Sequence, residues 1–493
     1  MKLTKVLAAA VLSASLLAAA GTAGALDINI YGASAQFNLW SAVAPDFLLS
    51  KGCVVNSAVS GNYGISTGTC GVGSSYPGQT INIRYTSKAS YDGIWALNNI
   101  KDPEVADCAN GTDRKQAATV GTVGAPVCLP VTAGASDVDG NWFIQESHGP
   151  KFGAYNTGSG HANPWVDRVF TDVAPYTGYK GPAFPYDSIE PKIDVSTLCS
   201  ENPLVVPFGF FVNNAVTVQK CLGGKRDGEQ CAAAGADPDE GRCVNPGATL
   251  HNVCANNAAC NNAGRTDGVC HQECPGGACQ AAVTIDNVTR QMANLIFSGQ
   301  VANWQDFGLG FPANTPIVAC MRHAGSGTQA TMGLGVMSAY GWGAGLATSA
   351  SEGGPTIRFN DGTGNMLDCI AGEDAAHVGG QDLGGIGFAD ADKKEGLRAH
   401  VTAVKYNGVW PTRANIRDGI YDNFWSEQFL YRSCAAPSTV YTDLLAFAND
   451  PARIEGLPNN RGLYYTTVNE MKVMKASPEL YPGAVTPLTP WLP

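Results

Sequence analysis

After its first 25 residues the chain has no apolar run approaching the ~20 residues that a bilayer crossing needs, so no later segment is expected to span a membrane. Histidine is scarce, 7 in 493 residues, and too dispersed to suggest a zinc site. No cysteine pair has the Cys-x-x-Cys-His spacing of haem attachment, and no Ser–His–Asp order, metal cluster or activated cysteine marks a catalytic centre. No metal or other cofactor is expected, and no catalytic residue is assigned. Positive charge is also in short supply. Without Lys2 and Lys5, 29 basic residues stand against 42 acidic ones, a formal charge of −13. Nucleic acid is therefore not an expected partner. An acidic chain does not gather anions by its overall field either, so any anion site has to be made locally, from dipoles and a few cations.

What is present begins with an export signal. Lys2 and Lys5 precede an apolar run from Val6 to Ala20, and Ala23-Gly24-Ala25 fits a signal-peptidase site. Residues 1–25 are read as a signal peptide, with a mature chain from Leu26. The cleavage site has no cysteine for a lipid anchor, so a soluble periplasmic or secreted protein is expected. Sixteen cysteines agree with an oxidising compartment. Eight lie between Cys221 and Cys279; Cys53, Cys70, Cys108, Cys128, Cys199, Cys320, Cys369 and Cys434 are scattered, so each set can close on itself. The opening of the 221–279 module is almost devoid of large apolar residues and has to be stapled by disulfides.

Along the chain, Asp27–Tyr31 reads as a strand that turns through small residues into an amphipathic helix carrying Phe37, Leu39, Trp40, Val43 and Phe47. Thr80–Tyr85 is a second strand, with a helix after Ser90. The Gly/Ser-rich stretch from Cys53 to Cys70 reads as a loop held by a disulfide. About 94–163 reads as a long surface insertion, clipped by Cys108 and Cys128. Within it Asp137-Val138-Asp139-Gly140-Asn141 is calcium-loop-like but has His148 where the bidentate acid belongs, and a solvated turn is preferred. Regular structure resumes at Trp165–Thr171. Leu204–Val212 is apolar enough for a strand buried on both faces, and a helix is expected over Asn287–Ser298.

The chemistry concentrates at Pro316–Met321, a strand that runs into Arg322-His323-Ala324-Gly325-Ser326-Gly327-Thr328 and a helix from about Gln329. Small residues expose the N–H groups of the first helical turn, the helix dipole adds positive potential, and Ser326 and Thr328 add hydroxyl donors. Arg322 adds a planar, two-pronged clamp for an oxyanion. Alone, such a sequence is also what a helix cap with a structural arginine looks like.

Leu295–Trp304, then Arg322 with Gly325-Ser326-Gly327-Thr328, resemble the central region of the phosphate-binding proteins of bacterial ABC transporters. Gly384–Ala389 with Gly396-Leu397 resembles that family's return strand, Pro203–Asn213 its outgoing crossover, and Asp27–Phe37 its first strand and glycine turn, DING-like proteins included. The resemblance covers about two thirds of the mature chain. It implies an α/β, two-lobed periplasmic-binding-protein type II fold with a disulfide-rich insertion at 221–279. The first lobe is expected from 26–205 and 387–493, the second from 206–386. It further implies inorganic phosphate or a related oxyanion in an interlobe cleft, and an ABC-transporter permease as partner.

Carried over by position, the ligand-binding residues are Gln36, Phe37, Ser90, Asp172, Arg322, Ser326, Gly327 and Thr328. Gln36 stands where the family has threonine, which removes a hydroxyl donor but not a main-chain one. Asp172, in Phe170-Thr171-Asp172-Val173-Ala174-Pro175, resembles the segment that supplies an acidic residue; an alternative placement at Thr86–Ser90 puts Lys88 there instead. His323 is read as a loop residue. Two other classes of function stand beside binding: a phosphatase, for which an oxyanion cradle would stabilise a transition state, and an adhesive or matrix protein that has reused the fold.

Overall fold

The strand expected at Asp27–Tyr31 runs over Leu26–Ala33 (β1) and is buried from Ile28 onward, as a central parallel strand has to be. The structure, a computed structural model, describes residues 25–101, 108–140, 168–169, 193–232, 242–244, 254–255, 257–261, 268–308, 310–322, 325–337, 355–360, 362–372, 383–475 and 485–487. The signal segment up to residue 24, Asp172 and His323 lie outside the described residues, as does Trp165–Thr171 apart from a short strand at Arg168–Val169. The fold is α/β and divides into two units: the described parts of Met1–Asn141, Ile193–Val205 and Glu427–Asn469, and those of Trp142–Lys192, Val206–Ser426 and Glu470–Pro493.

In the first unit β1 leads through a short 3-10 turn, Ser34–Gln36, into helix α1, Phe37–Ser50. Leu39, Trp40, Val43 and Phe47 are all buried along one side of that helix. Cys53–Ser60 (β2) and Tyr63–Cys70 (β3) then form an antiparallel hairpin, and β3 pairs antiparallel with Thr80–Lys88 (β4). The stretch read as a loop is thus two strands, with Cys53 directly opposite Cys70 in register. Its glycines and serines read as loop, but Val54, Val55, Val59, Ile65, Thr67 and Thr69 among them are the β-branched residues that strands favour. Helix α2, Ser90–Leu97, follows β4.

The region read as an insertion contains Asp113–Gln116 (β5), paired antiparallel with Val127–Pro130 (β6), and then Ala133–Ser136 (β7). β7 belongs to the core: all four residues are buried, it runs parallel to β1, and Phe429–Tyr431 of the strand Trp425–Ser433 pair with it from the other side. Small side chains give it no apolar periodicity, but they fit where helix and sheet touch backbone to backbone. A methyl group on Gly93 of α2 would lie 2.1 Å from the Tyr31 carbonyl oxygen and 2.8 Å from Gly134 Cα.

The chain passes from the first unit to the second within a long strand, Leu198–Asn213 (β8), buried from Pro203 to its end. Asn287–Val288 is a short strand rather than the start of a helix; Thr289 caps helix α3, Arg290–Phe297, by accepting from Met292 N–H. Val318–Arg322 (β9) leads to helix α4, Gly327–Gly335; Thr356–Asn360 (β10) leads to helix α5, Thr363–Ala371. Gly385–Asp390 (β11) returns and pairs parallel with β9 and antiparallel with β8. Val401–Tyr406 (β12) also pairs with β8. For that reason residues 387–426, expected in the first lobe, belong to the second unit, as do the described parts of 142–192 and 470–493, also expected in the first lobe.

Each unit repeats one topology. In the first, β1 lies between β4 and β7; in the second, β9 lies between β10 and β11, all parallel. The chain steps to one side of the first strand and then back across to the other. In such sheets the crevice at the carboxyl ends, where the strand order reverses, is where ligands bind.

All sixteen cysteines are paired. Cys53–Cys70, Cys108–Cys128, Cys199–Cys434 and Cys320–Cys369 join the scattered set, and Cys221–Cys274, Cys231–Cys279, Cys243–Cys260 and Cys254–Cys270 close the module on itself. Among the described residues, the hydrophobic clusters of the module consist of cysteine alone, in keeping with its composition. Among the described residues no helix is long and apolar enough to cross a membrane.

Candidate functional site

The carboxyl ends of β1, β4 and β7 meet in the first unit. Gln36 is fully buried at the head of α1, and its side chain is committed to the protein: Nε2 donates to the carbonyls of Ser136 (3.2 Å) and Phe429 (3.4 Å), while Oε1 accepts from Trp40 Nε1 (2.9 Å). Gln36 therefore fastens the turn after β1 to the end of β7. Phe37 N–H donates to the Ser34 carbonyl, closing the 3-10 turn, and its ring packs at 5.9 Å on Tyr85. Tyr85 in turn donates its hydroxyl to the Ala33 carbonyl.

Directly after β7 stands Asp137, 1% exposed, in the segment read as a solvated turn. Its backbone N–H donates to Ser90 Oγ (3.2 Å), and Ser90 Oγ donates to Asp137 Oδ2 (3.3 Å), so the serine at the head of α2 orients the carboxylate. Beyond it, Asp139 accepts from Tyr431 Oη (3.1 Å) and Gly140 N–H donates to the same hydroxyl (2.7 Å), so the described part of the calcium-like sequence, Asp137 to Gly140, is tied to the protein rather than solvated. The structure thus brings Gln36, Phe37 and Ser90 together and adds Asp137, which sequence reasoning missed. The available sign was a charged residue closing an uncharged Ala-Gly-Ala-Ser run.

In the second unit Arg322 ends β9 and is 1% exposed. Gly325, at φ +83°, makes the left-handed turn that only glycine adopts without strain. Ser326 then caps α4, its Oγ accepting from Gln329 N–H (3.4 Å). Such a cap contributes ~1 kcal/mol to the helix. Gln329 reaches back with Oε1 to accept from Arg322 N–H (2.7 Å), so strand end and helix start are locked together. Gly327 and Thr328 form the buried first turn of α4. At the other end of that helix, Arg290 Nε donates to the Val336 carbonyl (2.9 Å), placing a cation where the dipole is negative.

The Arg322 guanidinium donates from Nη1 to Thr363 Oγ1 (3.1 Å), the first residue of α5. Two helix N-termini and a guanidinium therefore converge at one buried place. Each of the three is a source of positive potential of the kind that favours an anion. At the end of β11 lies Asp390, fully buried and 3.0 Å from Lys393 Nζ. Burial raises its carboxyl from the usual range to about 8; Lys393 opposes the rise and Asp392 adds to it.

Among the described residues, the side-chain groups close enough to share a metal ion are cysteines already in disulfides.

No protein-family profile matches the chain. Similar solved structures include a phosphate ABC transporter substrate-binding protein with bound phosphate from Clostridium perfringens, at 11% identity over 89% of this chain and 99% of that one, TM-score 0.42. An ABC-type phosphate transport receptor from Vibrio cholerae is 13% identical over 54% of this chain and 71% of that one, TM-score 0.28. PstS from Borrelia burgdorferi is 9% identical over 86% and 92%, TM-score 0.31. At such TM-scores these likenesses carry no ligand assignment to this chain.

Proposed function

We propose that this chain is an extracytoplasmic solute-binding protein that captures a protonated oxyanion, with inorganic phosphate the expected ligand. The observation that carries the reading is Arg322, buried at the carboxyl end of β9 beside the capped first turn of α4, with its guanidinium donating to Thr363 at the start of α5; Ser326 and Thr328 are proposed as hydroxyl donors. In the first unit the ligand-facing groups are proposed to be the main chain at Gln36 and Phe37, the hydroxyl of Ser90, and a carboxylate. Asp172 was the expected carboxylate; we now propose Asp137, because Ser90 orients it at a strand end. Uptake through an ABC-transporter permease is the corresponding physiological role and rests on the sequence resemblance. Eight disulfides suit the oxidising compartment that a periplasmic or secreted location provides.

The test is calorimetric titration of phosphate-stripped protein with phosphate, alongside Arg322→Ala. Loss of one charged partner of a desolvated pair costs ~2–5 kcal/mol, so binding should weaken by at least ~30-fold while the fold persists. An unchanged dissociation constant removes Arg322 from the site.

A further inference from the structure

Resting on the anion-binding reading of Arg322, we propose that Thr363 is a positioning residue that sets the affinity of that site by holding the guanidinium in place. A guanidinium has donors only, so in the 3.1 Å contact from Arg322 Nη1 the Thr363 oxygen is necessarily the acceptor. The contact restrains the orientation of the fork, and that orientation decides whether two parallel N–H groups can face an oxyanion together. An arginine side chain has many rotamers to lose on ordering. A rigid acceptor built into the protein meets part of that cost before the ligand arrives.

Thr363 is itself held firmly. It is buried and begins α5, just after Gly362, whose N–H donates to Asn365 Oδ1 (3.2 Å). Six residues further along the helix, Cys369 is bonded to Cys320, two residues before Arg322 on β9. The disulfide therefore ties α5 to the strand that carries the arginine. Asn360, at the end of β10, donates from Nδ2 to the Met321 carbonyl (3.0 Å), joining the two strand ends beside it. Strand, helix and cross-link form one frame in which hydroxyl and guanidinium keep their distance.

Two substitutions separate the hydroxyl from the methyl group. Thr363→Val keeps shape and loses the acceptor; Thr363→Ser keeps the acceptor and loses the methyl. Phosphate titration and thermal melting of both, with native protein and Arg322→Ala alongside, give the answer. We expect Thr363→Val to weaken phosphate binding ~10-fold or more, and Thr363→Ser to bind within ~3-fold of native, with melting temperatures that do not follow this order. Native-like binding by Thr363→Val overturns the proposal. So does equal weakening by both variants in step with lower melting temperatures, which marks a packing role. If native protein takes up no phosphate, or Arg322→Ala binds as well as native, the anion-binding reading of Arg322 fails and this inference falls with it. A native protein that needs Arg322 but ignores Thr363→Val defeats the inference alone.

Discussion

At the scale of single residues, Asp137 poses the sharpest chemical question. A carboxylate beside an anion is repulsive unless the ligand brings a proton. Phosphate near neutral pH carries one and can donate it in a hydrogen bond to Asp137; sulfate has none and brings a second negative charge beside the carboxylate with no hydrogen bond to offset it. Asp137→Asn should therefore lower the phosphate-to-sulfate preference, because an amide donates to either anion. Competition binding at fixed pH and ionic strength measures the ratio, with Asp172→Asn as the comparison. A ratio unchanged in Asp137→Asn but altered in Asp172→Asn would return the role to Asp172. Asp390 is a separate matter of stability. Its folded-state carboxyl is raised to about 8, whereas an unfolded aspartate titrates near ~4, so between those values the folded chain holds more protons and stability falls as pH rises. Asp286, Asp418 and Asp443 are shifted downward, chiefly by hydrogen bonds from lysine or arginine side chains, and act only at more acidic pH. Urea unfolding at pH 5 and pH 8 should show Asp390→Asn with a flatter pH dependence than native protein. Parallel slopes would exclude Asp390 as their source. The Arg322 cluster was legible in the sequence because its residues are nearly contiguous. Thr363 was not, since its partner lies 41 residues away and only the parallel pairing of β9 and β10 brings the helix starts together.

At the scale of elements, legibility followed length and side-chain size. The run Leu204–Val212 announced a strand buried on both faces, and β8 is one. β7 has four residues, Ala-Gly-Ala-Ser, with nothing for a periodicity to act on, and its loss into a supposed insertion hid Asp137. The hairpin of β2 and β3 was masked by serine, glycine and threonine, although the disulfide across it was anticipated. In the cysteine module the buried clusters among the described residues are the cystines themselves, as its composition leads one to expect. Each such bond contributes ~2–4 kcal/mol, and the module has little apolar area to replace it. Graded reduction of the intact protein should therefore open 221–279 to proteolysis before either α/β unit is cut. Cleavage within the units first, with the module still resistant, would contradict this.

At the scale of the whole molecule, the same parallel motif occurs twice, and among the described residues Gln36 and Ser90 in one unit and Arg322 and Ser326 in the other stand at strand ends or helix starts of that motif. The resemblance foresaw the α/β architecture; the late return of the chain to the first unit, after Ser426 rather than Ile386, was set by pairing with β8 that no local pattern records. An acidic chain that binds an anion has to do so with local dipoles and a guanidinium, and α4, α5 and Arg322 supply them. Calorimetric titration of the phosphate-stripped native protein with phosphate and then sulfate, at one pH and ionic strength, tests this most directly. The account predicts saturable phosphate binding well above that of sulfate. No phosphate binding, or a preference for sulfate, would contradict it.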